Sequence, residues 1–144
     1  MRKESFVLDS SALIAYLEGE PGAEEVRRVL ERAAQCQARA LMAAVNYGEC
    51  FYVFKRYHGD DLAADFVEAT SQLPLTLAAV DVKLALSAGE AKASHDIPYV
   101  DAFAAALAHA EEAKLVTCDR DFEAVSHWVD VQWIAGNPKV ERDG

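Results

Sequence analysis

The chain has 144 residues, a length that suits one domain with a single hydrophobic core. Hydrophobic residues make up 52% of it and charged residues 26%, and no apolar run approaches the ~20 residues that cross a bilayer, so we expect no membrane association. The net charge of −10 argues against a protein that grips nucleic acid by charge alone, because phosphate binding depends on lysine and arginine, but it leaves nucleic-acid enzymes open.

Short apolar runs alternate with amphipathic segments along the chain, which predicts alternating strands and helices. In chain order we predict strand 5–8, helix 10–17, helix 23–36, strand 40–45, helix 47–57, helix 62–72, strand 75–80, helix 82–94, helix 99–113, strand 115–118, short helix 120–125 and strand 131–134. Such alternation favours an α/β fold with a parallel sheet covered by helices on both faces. Residues 1–135 are expected to form one domain, followed by a polar tail at 136–144.

The cysteines and the N-terminal segment bear on the cellular compartment. Cys36, Cys50 and Cys118 are odd in number, and no two of them form a Cys-x-x-Cys pair. No signal peptide with a long apolar region precedes the first predicted strand. We therefore expect reduced thiols and a cytoplasmic protein.

Four acidic residues occur where strands give way to helices or where helices begin. They are Asp9, Glu49, Asp101 and Asp119. The carboxyl ends of parallel strands share one edge of the sheet, and Asp9 and Asp119 follow two such strands. Carboxylates are the ligands that Mg²⁺ and Mn²⁺ prefer, and such ions promote phosphodiester hydrolysis. The pattern therefore predicts a shared metal site at that edge.

Each of these acids also has a purely structural interpretation. Asp9 and Asp119 are candidate N-caps of the helices that follow them, and Asp101 lies in a first helical turn, where the helix dipole favours any acid. Asn46-x-x-Glu49 resembles a capping box, with Asn46 as the cap. The argument for a metal site therefore depends on the four acids sharing one end of consecutive β/α units.

Aromatic and basic residues share the helix predicted at 47–57. The aromatic residues are Tyr47, Phe51, Tyr52, Phe54 and Tyr57. They are spread too widely around the helix for one buried face, so part of the set is available for an interface. The simple interpretation of Lys55 and Arg56 is a solvated helix face.

Four segments, taken in order, resemble the PIN-domain ribonucleases. They are Val7–Leu13, Asn46-x-x-Glu49, Asp101–Ala108 and Leu115–Phe122. Their order and spacing are most similar to the VapC-type toxins of bacterial toxin–antitoxin pairs. The resemblance covers nearly the whole chain, and the four segments together are far more specific than the short Asp-x-Ser motif.

This resemblance implies a three-layer α/β/α sandwich around a mostly parallel five-stranded sheet, and a Mg²⁺- or Mn²⁺-dependent endoribonuclease. By the same likeness Asp9 and Asp101 bind the metal most directly, while Glu49 and Asp119 complete the acidic pocket. The residues that match supporting positions are Ser11, Asn46, Thr117 and Asp121. The implied partners are an RNA substrate, a small antitoxin protein that blocks the pocket, and a second copy of the chain.

Three other functions are compatible with parts of the pattern. Receivers and haloacid-dehalogenase-type phosphatases also place an aspartate after the first strand. However, Ser11 stands where the phosphatase pattern has a second acid, and Lys114 precedes its strand where a receiver has a lysine after it. A non-catalytic binding module, and a PIN nuclease of RNA processing outside any toxin–antitoxin pair, are the remaining alternatives.

Overall fold

The computed structural model describes residues 3–136, which form five strands, six α-helices and one 3₁₀ helix. The strands are β1 (Glu4–Leu8), β2 (Ala38–Ala43), β3 (Thr76–Ala78), β4 (Lys114–Thr117) and β5 (Val131–Trp133). The helices are α1 (Ser10–Glu18), α2 (Ala23–Ala34), α3 (Ala44–His58), α4 (Asp60–Ser71), α5 (Val82–Ser94), α6 (Tyr99–Ala110) and the 3₁₀ helix Arg120–Val125. Every predicted element is present in the predicted order, and most of the predicted tail, residues 137–144, lies outside the described residues.

The five strands form one sheet, in the order β3-β2-β1-β4-β5. All four strand pairs are parallel, so the expected mostly parallel sheet is wholly parallel. Helices α5 and α6 pack on one face, and α1 to α4 contribute to the cores on the other. The predicted three-layer α/β/α sandwich is therefore confirmed. Within the described residues, no helix combines the length and apolar character needed to span a bilayer.

The central strand β1 is buried on both faces because its side chains alternate between the two sides of the sheet. Val7 packs into the core beneath α6, whereas Phe6 and Leu8 pack into the core beneath α2. A continuous apolar run in the sequence therefore becomes a strand whose carboxyl end is fixed from both sides.

Helix α6 is alanine-rich and lies deep in the molecule. Every residue from Asp101 to Ala108 is buried, and the helix contacts α5, α3 and three strands. Small side chains allow such close approach on several sides of one helix. As a result, Asp101 is carried in the first turn of a buried helix.

Several predicted boundaries were wrong by a few residues. The predicted strand 40–45 is β2 at 38–43, because β2 pairs with β1 from Glu4↔Ala38 onwards. The predicted strand 75–80 shortens to β3. Helix α6 ends before residue 113, because Glu112 adopts a left-handed φ of 50° and the Ala113 N–H donates to Ala108 O at 2.9 Å, which closes the helix.

Candidate metal centre

The strand order reverses between β1 and β4, since the chain continues from β1 to β2 on one side of the sheet and places β4 on the other. In open α/β sheets this is the point where ligands bind, beyond the carboxyl ends of the strands. Asp9 directly follows β1, and Asp119 lies two residues beyond Thr117, the last residue of β4. The Asp9 N–H donates to Val116 O at 3.3 Å, which joins the two strand ends.

The Asp9 side chain is held by three hydrogen bonds. Its Oδ1 accepts from the Ser11 hydroxyl at 2.7 Å and from the Ala12 N–H at 2.9 Å, and its Oδ2 accepts from the Thr117 hydroxyl at 2.6 Å. The side chain is also the N-cap of α1. Because Asp9 is only 2% exposed, these contacts fix its orientation in the interior.

Thr117 links both acids that follow the strand ends. Its hydroxyl donates to Asp9 Oδ2 and accepts from the Asp119 N–H at 2.9 Å. Asp119 Oδ1 in turn accepts from the Asp121 N–H at 2.9 Å, so Asp119 caps the 3₁₀ helix. The short turn after β4 and the start of this 3₁₀ helix thus carry two carboxylates, Asp119 and Asp121.

The capping-box interpretation of Asn46 and Glu49 was wrong. Helix α3 begins at Ala44 with Ala43 as its N-cap, so Asn46 lies inside the helix and Glu49 lies beyond the first turn. Asn46 is fully buried, and its Nδ2 donates to Val100 O at 3.0 Å, which ties α3 to the first turn of α6. Asn46 therefore positions the backbone next to Asp101.

Glu49 faces the same site through a different contact. Its Oε1 accepts a hydrogen bond from the hydroxyl of Ser10, a buried residue at the start of α1. Three elements that are distant in sequence, α1, α3 and α6, are therefore connected by polar side chains at this edge of the sheet.

Asp101 is the electrostatic centre of the group. Burial, followed by the repulsion of neighbouring negative charges, raises the pKa of Asp101 to about 8. In order of effect these neighbours are Asp119, Asp9, Glu49 and Asp121. The four acids predicted from the sequence therefore come together, and Asp121 joins them.

Three of these carboxylates approach closely enough to share a cation. One oxygen from each of Asp101, Asp119 and Asp121 lies within 4.8 Å of the other two. Among residues 3–136, no lysine or arginine forms an ion pair with Glu49, Asp101 or Asp119. Hard oxygen ligands and uncompensated negative charge fit a divalent cation such as Mg²⁺ or Mn²⁺.

Sequence reasoning gave too little weight to two residues. Asp121 was expected only at a supporting position, but the 3₁₀ geometry after Asp119 brings its oxygen into the closest group. Ser10, at the start of α1, contacts Glu49 across 39 residues of sequence. Only the fold could reveal that contact, since nothing local in the sequence predicts it.

Comparisons with known proteins extend this description. The profile of the family described as PIN domain matches residues 6–127, whereas no curated protein sequence matches the chain significantly. The fold is similar to three solved structures. VapBC2 from Rickettsia felis bound to a promoter DNA fragment has a TM-score of 0.72 and 16% identity, and the match covers 91% of this chain and 99% of that one. The sarcin-ricin loop cleaving toxin VapC20 from Mycobacterium tuberculosis has a TM-score of 0.68 and 19% identity, with 88% of this chain and 98% of that one covered. DNA-bound VapBC from Salmonella typhimurium has a TM-score of 0.69 and 18% identity, with 90% of this chain and 97% of that one covered. At these identities the likeness shows the fold alone.

Proposed function

The chain belongs to the PIN domain family, and on that premise we propose that it is a divalent-cation-dependent endoribonuclease that acts as the toxin of a toxin–antitoxin pair. The observation that carries this proposal is the convergence of four other carboxylates around Asp101, whose pKa is raised to about 8. Such a concentration of negative charge is costly without a cation, so a binding role explains it better than a structural one.

Each acid has a proposed role. Asp101 and Asp9 would hold the cation, Asp101 because it lies amid the other acids and Asp9 because its neighbours fix its orientation. Asp119 and Asp121 supply further oxygens from the turn after β4. Glu49 completes the acidic pocket, and Ser11, Thr117 and Asn46 position the others. These roles rest on the contacts of the four residues: Glu49 contacts Ser10, Ser11 and Thr117 contact Asp9, and Asn46 contacts Val100.

The proposed reaction is direct hydrolysis of the phosphodiester bond. A divalent cation held by these residues would offset the phosphate charge and acidify water. Glu49, which is partly buried at the rim of the group, is placed to accept the proton of the attacking water. No covalent intermediate with the protein is required, because no side chain has to act as the nucleophile.

Loss of the central carboxylate tests the proposal. We expect purified wild-type protein to cleave RNA with Mg²⁺ or Mn²⁺, EDTA to stop cleavage, and Asp101→Asn to lower the rate by about 100-fold or more. The matched control is Asp65→Asn, which removes one charge from the exposed surface of α4 and should leave the rate unchanged. Wild-type cleavage rates in Asp101→Asn would contradict the assignment.

A small antitoxin protein is the proposed regulator. The similar structures from Rickettsia felis and Salmonella typhimurium are VapBC complexes, which supports a partner of the same kind here. The proposed site of action is the cytoplasm, where RNA is the substrate. A reading frame beside this one that encodes a small DNA-binding protein, whose product abolishes cleavage, is the expected finding. A PIN nuclease of RNA processing would lack such an inhibitor.

A homodimer is the proposed assembly, and exposed apolar side chains support it. They are Leu77, Val80, Val82, Leu86 and Tyr99, with Val82 75% and Leu86 68% exposed. Val82 and Leu86 lie one helical turn apart on α5. Large apolar side chains that are this exposed in a monomer typically mark an interaction surface.

A further inference from the structure

Arg56 differs from the other arginines in its electrostatic environment. Residues 3–136 contain six arginines, and five of them have a carboxylate within 4.0 Å. Those five are Arg27, Arg28, Arg32, Arg39 and Arg120. Among these described residues, only the Arg56 guanidinium has no carboxylate partner, so its charge is not neutralised within the described chain. In a protein of net charge −10, an arginine left without an acid is available to an anion from outside.

Arg56 is also organised by an aromatic neighbour. Its guanidinium lies over the Tyr52 ring, 5.4 Å from the ring centroid, and the Tyr52 side chain is 38% exposed. These two residues line a surface groove of about 490 Å³ together with Phe51 and Lys55. The Lys55 ammonium is 3.1 Å from Asp60, so Arg56 supplies the uncompensated charge of the groove.

The position of the pair on α3 connects it with the metal centre. Glu49, Tyr52 and Arg56 are spaced by three and four residues, so they lie on one stripe of the helix. Seven residues of helix separate Glu49 from Arg56 by about 10 Å along the axis. A polymeric ligand that binds Arg56 and Tyr52 can therefore extend along α3 to the acidic group.

We infer that Tyr52 and Arg56 form a binding site for single-stranded RNA, one that guides the substrate toward the metal centre; this inference rests on the proposed ribonuclease function. Arg56 pairs with a backbone phosphate, and Tyr52 stacks on an unpaired base with the ring face that Arg56 leaves open. A duplex cannot use the tyrosine in this way, because its bases are already stacked.

Charge favours RNA over a protein as the occupant. The groove combines one uncompensated cation with exposed aromatic surface, which matches a polyanion that carries planar bases. The acidic group at the other end of the stripe would repel the same polyanion without a cation. A discrete cationic contact beside it therefore allows an acidic protein to hold its substrate.

The test measures RNA affinity separately from cleavage. A fluorescent single-stranded RNA is titrated with Asp101→Asn protein in Mg²⁺, and anisotropy is followed over a range of salt concentrations. Adding Arg56→Gln is expected to weaken binding about tenfold and to reduce the slope of log Kd against log salt by about 0.7. Adding Tyr52→Leu is expected to weaken binding roughly tenfold without changing that slope.

Two further variants sharpen the interpretation. Arg56→Lys keeps the charge, so it should retain the salt slope and lose only part of the affinity. Arg28→Gln removes another exposed arginine, from α2, and should change neither quantity. Unchanged thermal unfolding of each variant would show that the fold is intact.

Several outcomes would overturn the inference. It fails if Arg56→Gln binds RNA with wild-type affinity and salt slope, and it fails in favour of a protein surface if that variant weakens only inhibition by a co-encoded antitoxin. Both results leave the proposed ribonuclease standing when wild-type protein still cleaves RNA and Asp101→Asn does not. If wild-type protein neither binds nor cleaves RNA, the proposed function fails and this inference fails with it.

Discussion

Asp9 uses its two carboxylate oxygens for different contacts. Oδ1 caps α1 through the Ala12 N–H, whereas Oδ2 accepts from Thr117 at the end of β4. From the sequence, capping and membership of an acidic site appeared as alternatives, but one side chain does the first while it lies among the acids of the second. A residue that caps a helix can therefore also belong to an acidic group.

Asp101 makes stability depend on pH. Its folded pKa of about 8 lies above the ordinary value of 3.8, so the folded chain retains a proton that the unfolded chain releases. Without metal, the free energy of unfolding should therefore fall as pH rises from about 4 to 8, with this group contributing up to about 1.4 kcal/mol per pH unit. Urea unfolding in EDTA at several pH values, compared with Asp101→Asn, measures this contribution.

The informative quantity is the difference in the free energy of unfolding between wild-type protein and Asp101→Asn, because many other acids titrate in both proteins. Wild-type protein should lose stability relative to Asp101→Asn as pH rises, and Mn²⁺ at pH 8 should stabilise wild-type protein more than the variant. Parallel pH profiles for the two proteins would show that Asp101 is not the group responsible.

At the scale of elements, the sequence predicted most of what positions the site. Apolar runs followed by Asp9 and Asp119 predicted the strand ends, and those predictions hold in the structure. The start of α3 could not be predicted, because its N-cap makes no side-chain contact and Asn46 is fixed by Val100, 54 residues away. Local signals thus identify strand ends well and fail where a long-range contact sets the boundary.

Helix α5 provides an acid whose role is structural. Asp81 is its N-cap and accepts from the Leu84 N–H at 2.8 Å. Asp81→Ala should lower the free energy of unfolding by about 1 kcal/mol and leave RNA cleavage per folded molecule unchanged. Asp81→Ser, which can make the same cap, should retain most of the stability. Equal losses in both variants, measured by chemical denaturation, would argue against the cap.

For the whole molecule, the exposed apolar side chains are as informative as the buried ones. The two faces of the sheet are closed by well-buried cores, yet α5 exposes Val82 and Leu86 to solvent. Side chains this exposed contribute little to the cores of a single copy. A second copy of the chain is the proposed occupant of that face.

Leu86→Glu tests this assembly. Since Leu86 is 68% exposed, the substitution should leave the monomer folded, but it would bury a charge at the proposed interface and shift the chain to a monomer. Light scattering after size-exclusion chromatography measures the mass. The control Val67→Glu introduces the same charge at an exposed position of α4 and should stay dimeric. If Leu86→Glu protein has the same mass in solution as wild-type protein, this face of α5 is not the dimer interface.

The reversal of strand order between β1 and β4 has a consequence for biosynthesis. Asp9 directly follows the first strand to emerge from the ribosome, whereas Thr117 ends the fourth strand and Asp119 and Asp121 come after it. Contacts that span more than a hundred residues form only after nearly the whole domain has been translated. The acidic group that is proposed to bind the cation is therefore assembled only at the close of synthesis.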